Sequence, residues 1–84
     1  MFGLFKKKEK KRKFKLGVHF EVNGQEFICI GMNAGSVEMA IIQRAKLVYA
    51  KNVLDGRTHG INPMWVASYT RIKYYEDDKT WEVV

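Results

Sequence analysis

The chain has 84 residues and carries 15 Lys or Arg against nine Asp or Glu, a formal net charge of +6 near neutral pH. A chain this short builds one hydrophobic core, which excludes a multidomain enzyme. With 46% hydrophobic and 29% charged residues and a single Pro, the composition is globular rather than disordered or collagen-like.

The charge is unevenly placed. Met1 to Lys15 holds Lys6, Lys7, Lys8, Lys10, Lys11, Arg12, Lys13 and Lys15 against Glu9, a net +7, whereas Leu16 to Val84 holds seven cations against eight acids. Residues 1–13 read as a flexible basic arm and 14–84 as a single α+β domain, because like charges in a run repel one another and extend the chain. Three uses of the arm are open: a solubilising tail, a phosphate grip on nucleic acid, or an anionic membrane surface met by the lysines behind Met1, Phe2, Leu4 and Phe5. Those four apolar residues also fit a core cap or the start of a first strand. No apolar run approaches the roughly 18 residues that span a bilayer, and the N-terminal charges follow the apolar residues, the reverse of a signal peptide.

From Phe14 the chain alternates, with Phe14, Leu16, Val18, Phe20 and Val22 on one side, as in a strand with one buried face. Asn23-Gly24 then predicts a type I′ hairpin turn. A second strand follows from Gln25 to about Met32, in a register that sets Phe20 against Phe27 and Val18 against Cys29. Cys29 reads as a small buried hydrophobe. It has no partner for an internal disulfide, and with only His19 and His59 beside it no zinc-finger spacing exists, so a reducing cytoplasmic setting is expected. The same register opposes Glu21 to Glu26 with His19 nearby. A metal or acid–base site is conceivable there, and carboxylates splayed into water are the plainer arrangement.

Ser36 is the expected cap of a helix running to about Lys51, with Val37, Ile41, Ile42, Ala45, Val48 and Tyr49 in one broad arc. The competing reading stops the helix near Ala45 and makes Lys46 to Leu54 a strand. Asp55 to Pro63 reads as a polar loop in which Arg57, Thr58 and His59 lie between two glycines, either an anion-binding nest or an ordinary connector. Met64 to Tyr75 alternates again and returns through Glu76 to Lys79 as a last strand. This register pairs Tyr74 with Trp81, Ile72 with Val83 and Lys73 with Glu82.

The expected architecture is therefore a β-β-α-β-β antiparallel sheet with one helix on a face. One side of the long strand places Trp65, Tyr69, Arg71, Lys73 and Tyr75 in a row, the residue types of a nucleic-acid platform, although a packed helix would make Trp65 and Tyr69 core residues instead. No nucleophile with its base and no cofactor loop can be assembled, so no enzyme activity or cofactor is expected. The leading reading is a small accessory protein that binds RNA or single strands through the arm, Arg57 and the aromatic strand. The alternatives are a membrane-surface adaptor and a protein inhibitor that adds a strand to its own sheet edge.

Overall fold

The computed structural model describes residues 12–31 and 34–84, with the side chains of residues 34 and 35 left outside the description. The fold is α+β. Its elements are β1 (Lys15–Val22), β2 (Gln25–Ile30), α1 (Ala34–Ile42), β3 (Val48–Asn52), β4 (Thr58–Ile61), a 3₁₀ turn (Pro63–Trp65), β5 (Tyr69–Tyr75) and β6 (Thr80–Val83). The six strands form one antiparallel sheet in the order β4-β3-β2-β1-β5-β6, so the earliest hairpin lies at its centre and β4 and β6 at its edges.

The first hairpin has the expected register, with Val22 opposite Gln25, Phe20 opposite Phe27 and Val18 opposite Cys29. Asn23 and Gly24 both take positive φ, 53° and 79°, as a type I′ turn requires. The last hairpin also pairs as expected, Tyr74 with Trp81, Ile72 with Val83 and Lys73 with Glu82.

The middle of the chain differs. The helix stops at Ile42, and Val48 to Asn52 is a strand that alternates buried and exposed, so the competing reading of this segment is the correct one. The stop is a Schellman motif: Arg44 sits at φ 57°, its N–H donates to the Ile41 carbonyl, and the Ala45 N–H donates to the Ala40 carbonyl. These bonds satisfy the last carbonyls of the helix and turn the chain into β3. The expected polar loop shrinks to a tight turn before β4. Asn52 organises that turn, its Oδ1 accepting from the N–H groups of Leu54 and Asp55 while its Nδ2 donates to Gln25 Oε1. The β3–β4 hairpin adds two strands where the sequence predicts a helix end and a loop.

The alternation in the strands divides the core in two. Under α1, Val18, Phe20, Val22, Phe27, Cys29, Val48, Ala50 and Ile61 pack with Ile41 and Val66, and Val37, Ala40 and Tyr69 lean on this cluster. On the opposite face Ile28, Ile72 and Tyr74 form a second cluster with Ile30 and Trp81. Gly17, between β2 and β5, carries no side chain on that second face. A Cβ there would sit 2.8 Å from the Cys29 carbonyl oxygen, so β1 and β2 approach more closely than any other residue allows.

Candidate nucleic-acid interface

The expected row of aromatic and basic side chains is only partly assembled. Trp65 is not in it, because Asn62 caps a 3₁₀ turn through Pro63–Trp65 and Trp65 stands 60% exposed off the strand. Proline at the first position of that turn fixes the φ the turn needs, which ends the strand pattern extrapolated back to Met64. Tyr69 is half-buried against the core under α1, as the packed-helix alternative anticipates. Arg71, Lys73 and Tyr75 do share the α1 face, and each is engaged within the protein. Arg71 Nε lies 3.2 Å from Glu38 Oε2 on the helix, and Lys73 Nζ lies 5.0 Å from the centre of the Phe14 ring. The Tyr75 hydroxyl donates to Glu82 Oε2 at 2.6 Å, a bond that raises the Tyr75 pKa and withdraws Glu82 from its register partner Lys73.

Of the basic arm, Lys6, Lys7, Lys8, Lys10 and Lys11 lie outside the described residues, as do Phe2, Leu4 and Phe5. Arg12 is already bound to the domain. Its guanidinium lies 3.6 Å from the centre of the Tyr75 ring, and Nη2 reaches Asp78 Oδ1 at 3.2 Å and Thr80 Oγ1 at 3.0 Å. The Thr80 hydroxyl, and then Arg12, hold the Asp78 carboxyl below the usual carboxylate range. Lys13 is exposed. Arg57 is exposed beside β4, its backbone N–H donating to Asp55 Oδ1. That bond, followed by His59 Nε2 at 3.2 Å from Asp55 Oδ2, lowers the Asp55 pKa, so this turn is organised by a carboxylate rather than built as an anion nest.

The opposite face of the sheet holds a grouping that the strand patterns alone do not reveal. Lys15 Nζ donates to Glu76 Oε2 at 2.9 Å, and this bond first, with the fields of Lys51 and Lys79 added, lowers the Glu76 pKa. Lysines from β1, β3 and the β5–β6 turn thus all favour the charged form of one carboxylate. Lys51 and Lys79 have no side-chain hydrogen bond or ion pair among the described residues. They stand on a cleft of about 160 Å³ whose lining includes Ile28, Val53, Tyr74 and Trp81. Ile28 and Tyr74 belong to β2 and β5, on either side of β1, so the cleft draws its lining from both sides of the central strand. Trp81 leans further and stacks on the His19 ring with centroids 5.3 Å apart.

His19 Nε2 also lies 3.0 Å from Glu26 Oε1, which places a partner beside the opposed Glu21 and Glu26. Among the described residues no group of three His, Cys, Asp or Glu side chains is placed to hold a metal ion. Cys29 is buried, its thiol donating to the Tyr49 carbonyl, and burial pushes its pKa up to about 11, so it is a packing residue held protonated. No helix among the described residues is long and apolar enough to cross a membrane. Comparison with protein-family models, curated proteins and solved structures finds no match for this chain.

Proposed function

We propose that the protein is a small non-enzymatic accessory protein that binds nucleic acid, RNA or other single strands in preference to duplex. The observation that carries this reading is the continuity of positive charge. The lysine run of residues 6–15 leads directly into β1, whose first residue, Lys15, shares its sheet face with Lys51, and the field of Lys79 from the β5–β6 turn reaches the same Glu76 that Lys15 bonds. Phosphates neutralised along such a run release condensed counterions, which gives affinity without sequence choice. Lysine suits that role, being a compact point charge rather than the planar fork that arginine offers to a base edge.

The reading differs from the sequence expectation in the contribution of the domain. Arg71 and Tyr75 are engaged by Glu38 and Glu82 on the α1 face, so the domain contributes through its other face. The test keeps the full chain and replaces Lys6, Lys7, Lys8, Lys10 and Lys11 together with Ser. Affinity for single-stranded RNA at low salt should fall at least tenfold, and the slope of log K against log salt should become shallower by about 0.7 for each phosphate no longer neutralised. Unchanged affinity and slope overturn the reading. Strong binding of the native protein to anionic vesicles with no detectable RNA binding overturns it in favour of a membrane-surface adaptor.

A further inference from the structure

We infer that the cleft between Lys51, Lys79 and Trp81 is a subsite for one nucleotide of a single strand, the phosphate held by the two ammonium groups and the base laid against the aromatic wall. This rests on the nucleic-acid reading above and assigns it a place on the domain.

The lining supplies both halves of a nucleotide's chemistry. Half-buried Trp81, which stacks on His19 on one side, and the small exposed parts of the buried Tyr74 and Ile28 give an apolar wall, and Lys51 and Lys79 bring positive charge from β3 and from the β5–β6 turn. Among the described residues no acid lines the cleft, and the nearby Glu76 is already bonded to Lys15. Base-on-aromatic stacking beside a cationic groove is the general mode by which proteins hold single strands, because every base has a π-face and every nucleotide a phosphate.

Size limits the occupant. A volume of about 160 Å³ has room for a small planar group and not for a folded element. The flanking nucleotides would have to run outside the cleft. A duplex keeps its bases stacked on one another and cannot offer one to the wall without extrusion, so an unpaired strand is the fitting ligand. Beneath the cleft β2, β1 and β5 are interior strands paired on both sides, so strand addition has no opening on its floor and is confined to the free edge of β6.

Lys79 takes a left-handed φ of 56° as the last residue of the turn that joins the paired Tyr75 and Thr80. It has no side-chain hydrogen bond or ion pair among the described residues, and besides the field it exerts on Glu76 its surrounding is the cleft.

Two tryptophans make the site readable. Trp65→Phe removes the exposed indole of the 3₁₀ turn and leaves Trp81 as the only tryptophan. In that full-length variant, a tetrauridylate is titrated while tryptophan emission is followed, with inorganic tetrapolyphosphate as a ligand that has charge and no base. The expected result is saturable quenching by the oligonucleotide and little change of emission with polyphosphate. Adding Lys51→Ala and Lys79→Ala should weaken oligonucleotide binding at least tenfold and abolish the quenching, whereas Lys51→Arg with Lys79→Arg should keep both within a few-fold. Both lysines stand off the packed clusters, and an unchanged circular dichroism spectrum confirms that each variant is folded. If the oligonucleotide binds but Trp81 emission and the double alanine variant are unaffected, the subsite is overturned and the broader nucleic-acid reading stands. If polyphosphate quenches equally, the cleft is an anion site without base recognition, and the inference is overturned. If no form of the protein binds any single strand at low salt, the broader reading fails and the subsite with it.

Discussion

Beneath α1 the cations of β5 are already matched, Arg71 by Glu38 from the helix and Lys73 by the ring of Phe14 from the segment before β1. On the opposite face of the same sheet Lys51 and Lys79 flank a cleft with no acid among the described residues of its lining. Alternation along a strand assigns each side chain to a face, but its availability depends on what other elements bring to that face. Glu38 and Phe14 lie outside β5, and they decide what Arg71 and Lys73 can do. The helix-covered face is therefore a packed core whose cations already have contacts at its rim, Arg71 with a carboxylate and Lys73 with a ring. The other joins a smaller core to positive charge left available for a ligand.

The comparison can be broken most sharply through the two cores. Phe20→Ala, in the cluster under α1, should lower stability by about 3–5 kcal/mol, and Ile72→Ala, in the smaller cluster, by about 2–5 kcal/mol, since both side chains are almost fully enclosed. Denaturant melts would measure both. A fall of less than about 1 kcal/mol for Ile72→Ala would mean that the second face is not a packed core and that the cleft above it lacks a firm floor.

Tyr69→Ala sharpens the contrast with a smaller effect. Tyr69 leans on the core under α1, so its removal should cost about 1–3 kcal/mol of stability and leave single-strand affinity unchanged well below the melting midpoint. A tenfold drop in affinity with the midpoint nearly constant would return the binding surface to the α1 side.

The smallest effect concerns acid. Glu76 and Asp78, at the turn that carries Lys79, titrate below their ordinary values because the folded protein favours their charged forms, Glu76 chiefly through Lys15 and Asp78 chiefly through Thr80. Stability from a lowered carboxyl pKa is complete above the unfolded value, near pH 4, and disappears as pH falls through the folded one. Carboxyl chemical shifts followed by NMR should therefore show each group titrating below its own ordinary value, with Lys15→Ala moving Glu76 back up and leaving Asp78 in place.

What the sequence reveals depends on how local the determining interaction is. The first hairpin is legible because Asn23-Gly24 names its turn and the alternation on either side fixes its register. The last hairpin is legible because each predicted pair is chemically matched. The helix end is not, since the left-handed position that closes it holds Arg44, where glycine is the usual marker, and Ala45 to Leu47 also suit a helix. Nor is β4 visible: four residues, only Ile61 of them strongly apolar, owe their pairing to the turn that Asn52 organises. For the candidate site, sequence reasoning singles out Lys15 and the basic run but places the domain's share on the α1 face of β5, where the cations are already engaged. The cleft joins Lys51, from a segment read as helix, to Lys79 across several strands. That meeting comes from the curl of the whole sheet, which no single strand pattern encodes.

Gly17 turns that curl into a property of one hydrogen atom. Replacing it by a methyl group would set carbon 2.8 Å from the Cys29 carbonyl oxygen, and a backbone atom can retreat only by opening the seam between β1 and β2. The side-chain inventory of the protein would be intact, with every lysine, tryptophan and buried aliphatic residue still present. Its shape would not, because the hairpin that carries Lys51 attaches to β2 and the one that carries Lys79 attaches to β1, on opposite sides of that seam. At position 17 the chain thus separates two traits that usually travel together, the chemistry it carries and the curvature that gathers it.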